Sequence, residues 1–327
     1  MKEFKITKKD ASQRIDKYIK KVLSDAPLSF IYRLFRVKDI KVNGKRVPIS
    51  YILNEGDIIS IYISDKLLEE LSTKKEIVPV KSNIDIVYED ENILIVNKPR
   101  GILVHGDINE KRMTLTNQVL NYLYSKNEYD PKNEVGFVPS PAHRLDRNTS
   151  GLVLFGKNML SLQTLFDMFK DKENVSKYYL ALLNGHIKEK GEINVPLLKD
   201  EKTGIVKVSS LQNGGKSALT KYELVEKYID KSLVKAKLIT GRTHQLRVHF
   251  SFINHPIVGD SKYGDFKLNK QIEKEFSFKD QFLHAFRIEF HNIEGELSYL
   301  SNKSFEAPLP KKEKEILEIL RKEKKCI

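Results

Sequence analysis

The sequence predicts an α+β protein in which a small α/β N-terminal domain precedes a larger domain built on a mixed, mainly antiparallel sheet. The first observation behind this prediction is the charge distribution. Residues 1–75 contain 17 Lys and Arg against 10 Asp and Glu, which gives over half of the net charge of +13. The second is a change of pattern near position 84, where short strand-like apolar runs follow one another with few helical patterns between them. We place the N-terminal domain at 1–75, a linker at 76–83 and the larger domain at 84–327.

The composition excludes several classes of protein. A net charge of +13 indicates a polyanionic partner, with nucleic acid the first candidate, although a basic protein can also be merely soluble. The one cysteine, Cys326, leaves no internal disulfide and no cysteine-based zinc cluster. The N-terminus lacks the apolar core of a signal peptide, and no apolar run approaches the roughly 18 residues of a membrane span. We therefore expect a cytoplasmic protein with no membrane partner.

The N-terminal module shows the local patterns of two helices and a hairpin. One helix is predicted from apolar residues at helical spacing, which are Ile15, Tyr18, Ile19 and Val22. Pro27 ends that helix, and Ser29 is a candidate N-cap for a second one. Asn43-Gly44 can supply the two positive-φ positions of a tight turn within a hairpin at 40–47. Alternating isoleucines at 59–63 predict a closing strand.

Basic side chains cover this module. A helix-helix-hairpin unit that carries arginines is suited to gripping phosphates, and the alternative is a basic surface with no partner. The segments that carry a resemblance to a known domain are 14–17, 31–36, 41–46 and 56–57. Over roughly residues 12–75 they resemble an S4-type RNA-binding domain. The resemblance implies RNA contacts from six basic residues, which are Arg14, Arg33, Arg36, Lys41, Lys45 and Arg46.

Strand-like runs define the larger domain, and they lie at 84–88, 93–96, 152–155, 179–183 and 234–239. A helix is predicted from the apolar stripe of Leu162, Leu165, Phe166 and Phe169. The charged stretch 65–83 has no clear periodicity and is interpreted as linker sequence. The Lys- and Glu-rich tail at 311–325 is interpreted as a short solvated helix.

A polar segment, 143–151, stands immediately before the strand run at 152–155. It contains Asp146, and Arg144 and Arg147 on either side of it favour the ionised carboxylate. An ionised carboxylate at a strand entrance can act as a nucleophile or a base. The alternative is a turn in which the acid forms a structural salt bridge.

A second polar segment, 240–249, follows the last of these strand runs. Gly241 permits a tight turn and Thr243 is a candidate helix cap, while His244 and Arg247 are three residues apart and share a helix face. A helix N-terminus with such side chains is an anion site, and the alternative is ordinary basic surface. The spacing of His244 and His249 does not match a metal pair, and we expect no metal site.

Six motifs in order resemble the RluA-type pseudouridine synthases over nearly all of residues 84–310. They are Asn97-Lys98-Pro99-Arg100-Gly101 with Val104-His105, His143-Arg144-Leu145-Asp146 with Thr149-Ser150-Gly151, Lys177-Tyr178-Tyr179-Leu180-Ala181, the segment 241–249, His255-Pro256-Ile257-Val258-Gly259-Asp260 with Tyr263-Gly264, and Leu283-His284-Ala285. One such motif is weak evidence, whereas six in order are specific. The resemblance implies conversion of uridine to pseudouridine in RNA without a nucleotide or other cofactor.

The resemblance also implies a role for individual residues. Asp146 matches the catalytic aspartate, which attacks either the uracil ring or the ribose C1′, and the sequence does not choose between them. Arg247 matches the arginine that pairs with that aspartate, and Tyr179 matches a tyrosine that stacks on the target base and helps to remove the proton from its C5. Arg144 matches a residue that enters the space left by the flipped base. We further expect RNA contacts from Arg147, Arg242 and His244.

Three other functions compete with this interpretation. A kinase-like phosphotransferase is suggested by His143-Arg144-Leu145-Asp146, but no glycine-rich loop precedes it and no Asp-Phe-Gly follows. A non-catalytic RNA-binding or ribosome-assembly protein would retain the basic module but does not explain why Tyr179 and Arg247 are present. Within the family, the complete match favours the RluC-like branch that modifies large-subunit ribosomal RNA, and transfer RNA is the alternative substrate. We expect a monomer.

Overall fold

The computed structural model describes residues 1–73, 76–171 and 173–325, so Cys326 lies outside the described residues. The α-helices are α1 (Ile15–Val22), α2 (Leu28–Val37), α3 (Asp65–Glu70), α4 (Leu115–Ser125), α5 (Met159–Lys170), α6 (Gln245–Phe252), α7 (Phe266–Phe276) and α8 (Lys311–Lys325). The strands of the N-terminal module are β1 (Lys2–Lys5), β2 (Ile40–Val42) and β3 (Ile58–Ile61). The next strands are β4 (Asp85–Glu89), β5 (Ile93–Lys98), β6 (Ser140–Pro141), β7 (Ser150–Gly156), β8 (Val175–Asn184) and β9 (Lys190–Asn194). The remaining strands are β10 (Leu197–Lys199), β11 (Val206–Val208), β12 (Leu219–Lys227), β13 (Lys231–Leu238), β14 (Leu283–Phe290) and β15 (Ser304–Glu306), and a 3₁₀ helix spans Gly295–Leu300.

The N-terminal module has its own sheet and its own core. Strands β1, β3 and β2 pair antiparallel in that order. Helices α1 and α2 share a core with these strands, and α1 contributes its predicted apolar face to it. Asn43 and Gly44 both have positive φ, as a tight turn after β2 requires. The partner of β2 is β3, however, and the other arm of the predicted hairpin forms only one bridge, between Val42 and Lys45.

The larger domain is organised around one mixed sheet, whose strands run in the order β4-β5-β7-β14-β8-β13-β12-β9. Strand β15 joins β14 at the side, and β6 joins β7. Within the described residues the pairings in this sheet are antiparallel except for β14 with β7. The predicted α+β class with a mixed, mainly antiparallel sheet is therefore confirmed.

Strands β5 and β7 are buried on both faces of the sheet, and successive side chains of each strand point to opposite faces. In β5, Leu94 and Val96 enter a core with α4, whereas Ile93 and Ile95 enter a core with α5 on the other face. This burial explains why the runs at 93–96 and 152–155 are continuously apolar rather than alternating. The sheet is thus a rigid platform from which loops at the strand ends project.

Three local predictions were wrong. Residues 65–70 form α3, which Ser64 caps by accepting a hydrogen bond from the amide of Leu67, so this part of 65–83 is not a linker. The cap of α2 is Pro27 without a side-chain bond, not Ser29. Helix α8 is not merely solvated, because its apolar stripe is buried against α7 and its Glu313 is 1% exposed.

The N-terminal module lies against the larger domain through polar contacts and through Val135, which packs on the apolar core of the module. Lys9 Nζ is 2.8 Å from Glu134 Oε2, and the carbonyl of Lys9 accepts a hydrogen bond from the amide of Met159 at 3.0 Å. The side-chain amide of Gln13 donates to the carbonyl of Gly136 at 3.3 Å. In the described part of the chain, no helix has the length and apolarity needed to cross a membrane.

Candidate active site

A cavity of about 570 Å³ opens where the segment before β7, the strand β8 and the N-terminus of α6 meet. Asp146 lines it from the first, Tyr179 from the second and Arg247 from the third. The volume is within the range of small-molecule sites, which run from about 300 to 1,000 Å³. The structure therefore brings together the three residues predicted to be catalytic.

The loop that carries Asp146 is held by buried groups of the sheet. The ammonium of Lys98, which is fully buried, donates to the carbonyl of Arg147 at 2.9 Å and to two further carbonyls. Gly151 lies at the start of β7, next to Ala285 of β14, and has a φ of +113°. A Cβ at this position would lie 2.2 Å from the carbonyl oxygen of Ala285. This close approach requires glycine, since no other residue avoids that clash. The loop therefore leaves the sheet at a fixed place.

Asp146 forms its ion pair with Arg247. The Nη1 of Arg247 is 3.0 Å from Oδ2 of Asp146, and the side chain of Asp146 is 25% exposed in the cavity. Asp260 holds the other edge of the same guanidinium, with Nε to Oδ2 at 2.7 Å and Nη2 to Oδ1 at 2.9 Å. A bidentate pair of this kind fixes the plane of the guanidinium, so Arg247 meets Asp146 in one orientation.

The electrostatics of this cluster favour the charged forms. Burial opposes the charge of Arg247, but the hydrogen bonds and the charge of Asp260, together with the charge of Asp146, raise its pKa. Burial likewise opposes ionisation of Asp260, yet Arg247 and backbone amides hold the pKa of that carboxyl below its usual value. Asp260 is therefore a permanent counter-ion, and it leaves Asp146 as the exposed acid of the trio.

His244 stands beside Asp146 on the same face of α6 as Arg247. Its Nε2 is 3.8 Å from Oδ2 of Asp146, and its Nδ1 is 2.7 Å from the hydroxyl of Tyr263. Burial lowers the pKa of His244. The charge of Asp146 raises this pKa, the charge of Arg247 lowers it, and the net shift is downward. The imidazole is therefore neutral at neutral pH.

Tyr179 forms the opposite wall of the cavity on β8. The residue is 7% exposed. Burial raises the pKa of its phenol, and the nearby charge of Asp146 adds to the effect. The ring is therefore a neutral, mainly apolar surface beside the carboxylate, which suits stacking against a planar base.

A basic corner completes the cavity. The ammonium of Lys177, two residues before Tyr179 and on the same face of β8, lies 4.8 Å from the centroid of Phe169. Burial lowers the pKa of Lys177 to about 8 and the pKa of His143 to about 3. His143 is thus a neutral acceptor, and its Nε2 receives the amide of Leu154 at 3.3 Å.

The predicted RNA-contacting residues fall into three places. Arg144, Arg242 and His244 line the cavity. Arg147 does not, and its guanidinium lies 3.4 Å from Asp107 on the exposed surface. The other six lie in the N-terminal module, and they are Arg14, Arg33, Arg36, Lys41, Lys45 and Arg46.

Two predictions about this site were wrong in detail. Neither Arg144 nor Arg147, its neighbours in sequence, pairs with Asp146, because that carboxylate turns toward α6 and meets Arg247 instead. Thr243 does not cap α6, because the cap is His244, whose φ is 52° and whose side chain makes no capping bond. The left-handed cap aims the imidazole into the cavity rather than back along the helix.

Sequence reasoning also missed partners of the predicted residues. Asp260, Tyr263 and Lys98 stand within the six motifs of the family resemblance, but the motifs alone assigned no role to them. Their partners are up to 49 positions away in the chain, so only the fold reveals these pairs. The described residues contain no group of three or more His, Cys, Asp or Glu side chains arranged to hold a metal ion.

Comparison with known proteins places this geometry. The family model described as RNA pseudouridylate synthase matches residues 92–252. A Mycoplasma capricolum protein named "Uncharacterized RNA pseudouridine synthase" is 38% identical over 93% of this chain and 96% of its own. The Ribosomal large subunit pseudouridine synthase C of Haemophilus influenzae is 36% identical over 99% of this chain and 96% of its own.

Solved structures show the same fold. The structure of human RNA Pseudouridylate Synthase Domain Containing 4 matches with a TM-score of 0.58 at 23% identity, over 72% of this chain and 93% of that one. The family model and these relatives define the chain as an RNA-modifying isomerase. The chain belongs to the RNA pseudouridine synthase family, whose members convert uridine to pseudouridine in RNA.

Proposed function

We propose that this protein isomerises uridines of large-subunit ribosomal RNA, with Asp146 as the catalytic carboxylate. The observation that carries the proposal is the ion pair of Asp146 with Arg247 at the base of a cavity walled by Tyr179. Oδ2 of Asp146 accepts from Arg247, whereas in the described part of the chain Oδ1 accepts no hydrogen bond. That free oxygen is the atom from which attack can begin.

The reaction needs no external reagent. The N1–C1′ bond of uridine breaks, the uracil turns, and a C5–C1′ bond forms. The proton on C5 leaves and N1 gains one, so substrate and product have the same composition. A covalent bond from Asp146 to the ring or to C1′ would hold one fragment while the other turns, and both routes stay open. We accordingly propose that no cofactor takes part.

The other walls suit a base taken out of an RNA helix. Flipping a base costs a few kcal/mol, and stacking against an aromatic ring offsets part of that cost. We assign this stacking to Tyr179. Its raised pKa disfavours the phenolate, so we do not assign it the removal of the C5 proton. Arg144, at the exposed rim of the cavity, is suited to fill the space that the base has left.

Two observations support ribosomal RNA as the substrate. Relatives that cover 99% of the chain carry the name Ribosomal large subunit pseudouridine synthase C. The basic N-terminal module supplies an additional phosphate-binding surface, and we propose that it is an S4-type domain at 1–75, joined by a linker at 76–83 to the catalytic domain at 84–327. We further propose that the enzyme is a cytoplasmic monomer.

Pseudouridine mapping of ribosomal RNA tests the proposal. Cells that lack the gene are compared with the same cells carrying the wild-type or the Asp146→Asn copy, and modified uridines are read by carbodiimide treatment and primer extension. We expect discrete large-subunit sites to disappear in the deletion strain and to return only with the wild-type copy, because asparagine is nearly isosteric but cannot act as a nucleophile.

Other outcomes point to the alternatives. Unchanged ribosomal RNA together with lost sites in transfer RNA would retain the reaction and replace the substrate. Restoration of every site by Asp146→Asn would contradict the assignment of the carboxylate. A deletion strain with no lost site in either RNA but with accumulated subunit precursors would favour a non-catalytic ribosome-assembly protein.

A further inference from the structure

The hydroxyl of Tyr263 is shared between two elements that meet at the cavity. It accepts a hydrogen bond from the amide of Val206 in β11 at 3.0 Å, and it lies 2.7 Å from Nδ1 of His244. The ring also lies under the guanidinium of Arg247, at 5.1 Å. Tyr263 therefore contacts both α6 residues that face the catalytic carboxylate, without lining the cavity itself.

The direction of the bond to His244 follows from counting hydrogens. A phenol has one hydrogen to donate. The amide of Val206 already donates to the phenol oxygen of Tyr263. If the phenol donates its own hydrogen to Nδ1 of His244, every donor and acceptor of this set has a partner. Nδ1 is then the acceptor, and the proton of the neutral imidazole is placed on Nε2.

The opposite arrangement is less favourable for two reasons. If Nδ1 carried the proton, the phenol oxygen would receive two donors, and its own hydrogen would have no acceptor in the described part of the chain. Nε2 would then turn a lone pair toward Oδ2 of Asp146, 3.8 Å away. A lone pair facing a carboxylate is repulsive, whereas an N–H facing it is attractive.

We propose that Tyr263 is a positioning residue that holds His244 as the Nε2–H tautomer and aims this N–H at the reacting carboxylate. The N–H completes, with Arg247, the set of positive groups around Oδ2 of Asp146. A neutral donor on Oδ2 polarises the carboxylate less than a second cation would, so Oδ1 remains reactive. The kinetic part of this inference rests on the proposed role of Asp146, whereas the tautomer does not.

The same hydroxyl connects the cavity to an arm of the molecule. Residues 195–218 leave the main sheet and carry the two-stranded sheet of β10 and β11. Three hydrogen bonds attach the arm to the rest of the domain. The amide of Val206 donates to the hydroxyl of Tyr263. The carbonyl of Gly204 accepts from Lys262 at 2.8 Å, and the carbonyl of Ser217 accepts from Arg242 at 3.0 Å. A ligand that moves the arm would change the hydrogen bond that sets the tautomer.

The tautomer is measured directly by ¹⁵N NMR of the full chain labelled at histidine, with His244→Ala to assign the signal. In the wild type we expect the His244 signals of an unprotonated Nδ1 and a protonated Nε2. Tyr263→Phe retains the ring beneath Arg247 and removes only the hydroxyl, so we expect a mixture of tautomers. A wild-type His244 with its proton on Nδ1, or a Tyr263→Phe protein with an unchanged tautomer, would overturn the inference whether or not the enzyme turns over.

Kinetics provide the second test. Loss of a partner that fixes a histidine tautomer typically costs about 10- to 100-fold at metal sites, and we expect Tyr263→Phe to lower kcat by about tenfold with KM changed by less than about twofold. Tyr222→Phe is the matched control, because this buried tyrosine packs on Phe250 of α6 and its hydroxyl has no hydrogen bond in the described residues. We expect it to leave kcat unchanged.

A double-mutant cycle separates action through His244 from a general loss of structure. If Tyr263 acts through His244, Tyr263→Phe should change kcat by less than about twofold in a His244→Ala background. The same tenfold loss in both backgrounds would show that Tyr263 acts independently and would overturn the inference. Absence of turnover in the wild type would instead contradict the proposed function and leave the NMR result as the test of the tautomer.

Discussion

The basic face of the N-terminal module and the ion cluster of the cavity both depend on arginine, but in opposite ways. In the module, Arg33 lies over the ring of Phe30 at 5.1 Å and Lys41 over that of Tyr62 at 4.8 Å, and their charged ends stay at the surface. In the cavity, the side chain of Arg247 is 8% exposed and is held by two carboxylates. In the module the positive charges remain available to a binding partner. In the cavity the charge of Arg247 is already neutralised by two carboxylates.

The difference separates binding from chemistry. Exposed cations attract phosphates over a distance and are screened by salt, so they contribute affinity with little geometric precision. A desolvated arginine in a bidentate pair has one orientation, and it can therefore hold a reacting carboxylate in one place. Substitutions in the two regions should consequently affect different measured quantities.

The largest effect is expected at Asp146, the proposed catalytic carboxylate. Asp146→Asn should lower single-turnover conversion of uridine by at least about 1,000-fold, because the nucleophile is lost, while the RNA affinity should change by less than about threefold. Asp107→Asn is the control, since this carboxylate is on the exposed surface, 3.4 Å from Arg147, and it should retain the rate. A large loss of affinity in Asp146→Asn would instead assign the residue to binding.

Stability should depend most on the buried partner of the arginine. Asp260→Asn leaves the charge of Arg247 buried and half-paired, and removal of one member of such a pair costs about 3–5 kcal/mol of unfolding free energy. Urea unfolding measures this. Asp265→Asn, at the N-cap of α7, should cost little, because asparagine caps as well as aspartate.

The pH dependence of that difference has a defined sign. Because the folded protein holds the pKa of Asp260 below its unfolded value of about 4, its stabilisation is fully present above that value. It is lost as the pH falls through the folded-state pKa. The gap in stability between the wild type and Asp260→Asn should therefore be constant near neutrality and narrow only below about pH 4. A gap that narrows between pH 6 and 8 would contradict the assignment.

A moderate effect on affinity is expected from the module. Replacement of Arg33, Arg36, Lys41 and Lys45 by glutamine should weaken RNA binding and reduce the slope of log affinity against log salt by about 0.7–0.9 for each phosphate that is no longer neutralised. The rate at saturating RNA should not change. The control removes the same charge from α8, at Lys311, Lys312, Lys322 and Lys324. Equal effects of the two variants would show that net charge, rather than this face, binds the RNA.

The smallest difference is expected between two neighbouring arginines. Arg144→Gln should raise KM by several-fold, because Arg144 lines the cavity. Arg147→Gln should change KM by less than about twofold, because Arg147 lies outside the cavity in an exposed pair with Asp107, and such pairs contribute little. Steady-state kinetics on one RNA compare the two. A larger effect of Arg147→Gln would show that the RNA extends over the exposed loop.

Patterns local in sequence predicted much of the fold. The helix face of α1 and the continuous strands β5 and β7 follow from spacing alone, because burial on one or both faces imposes a fixed period on apolar residues. Helix α3 was missed because none of its six residues is buried, so they carry no such period. The hairpin predicted at 40–47 was wrong because β2 pairs with β3, whose residues are 17 to 21 positions away, rather than with the adjacent segment.

The site was predicted only as far as motifs reach. Resemblance supplied Asp146, Tyr179 and Arg247, and the structure brings them into one cavity. It did not supply the bond from Asp260 to Arg247 or that from Tyr263 to His244, because these pairs form only when a loop folds back on α6. From the sequence, the arginines on either side of Asp146 were expected to favour its ionised form. In the structure its side chain points toward α6 instead and pairs with Arg247.

The most direct test of the proposed role of Asp146 is the release of tritium from RNA labelled at C5 of uridine, with purified wild-type and Asp146→Asn proteins in excess over large-subunit ribosomal RNA. The new C5–C1′ bond can form only if C5 loses its hydrogen. We expect stoichiometric release at discrete sites with the wild type and none above background with Asp146→Asn, although both bind the RNA. Equal release by the two proteins would show that the carboxylate of Asp146 does not perform the reaction.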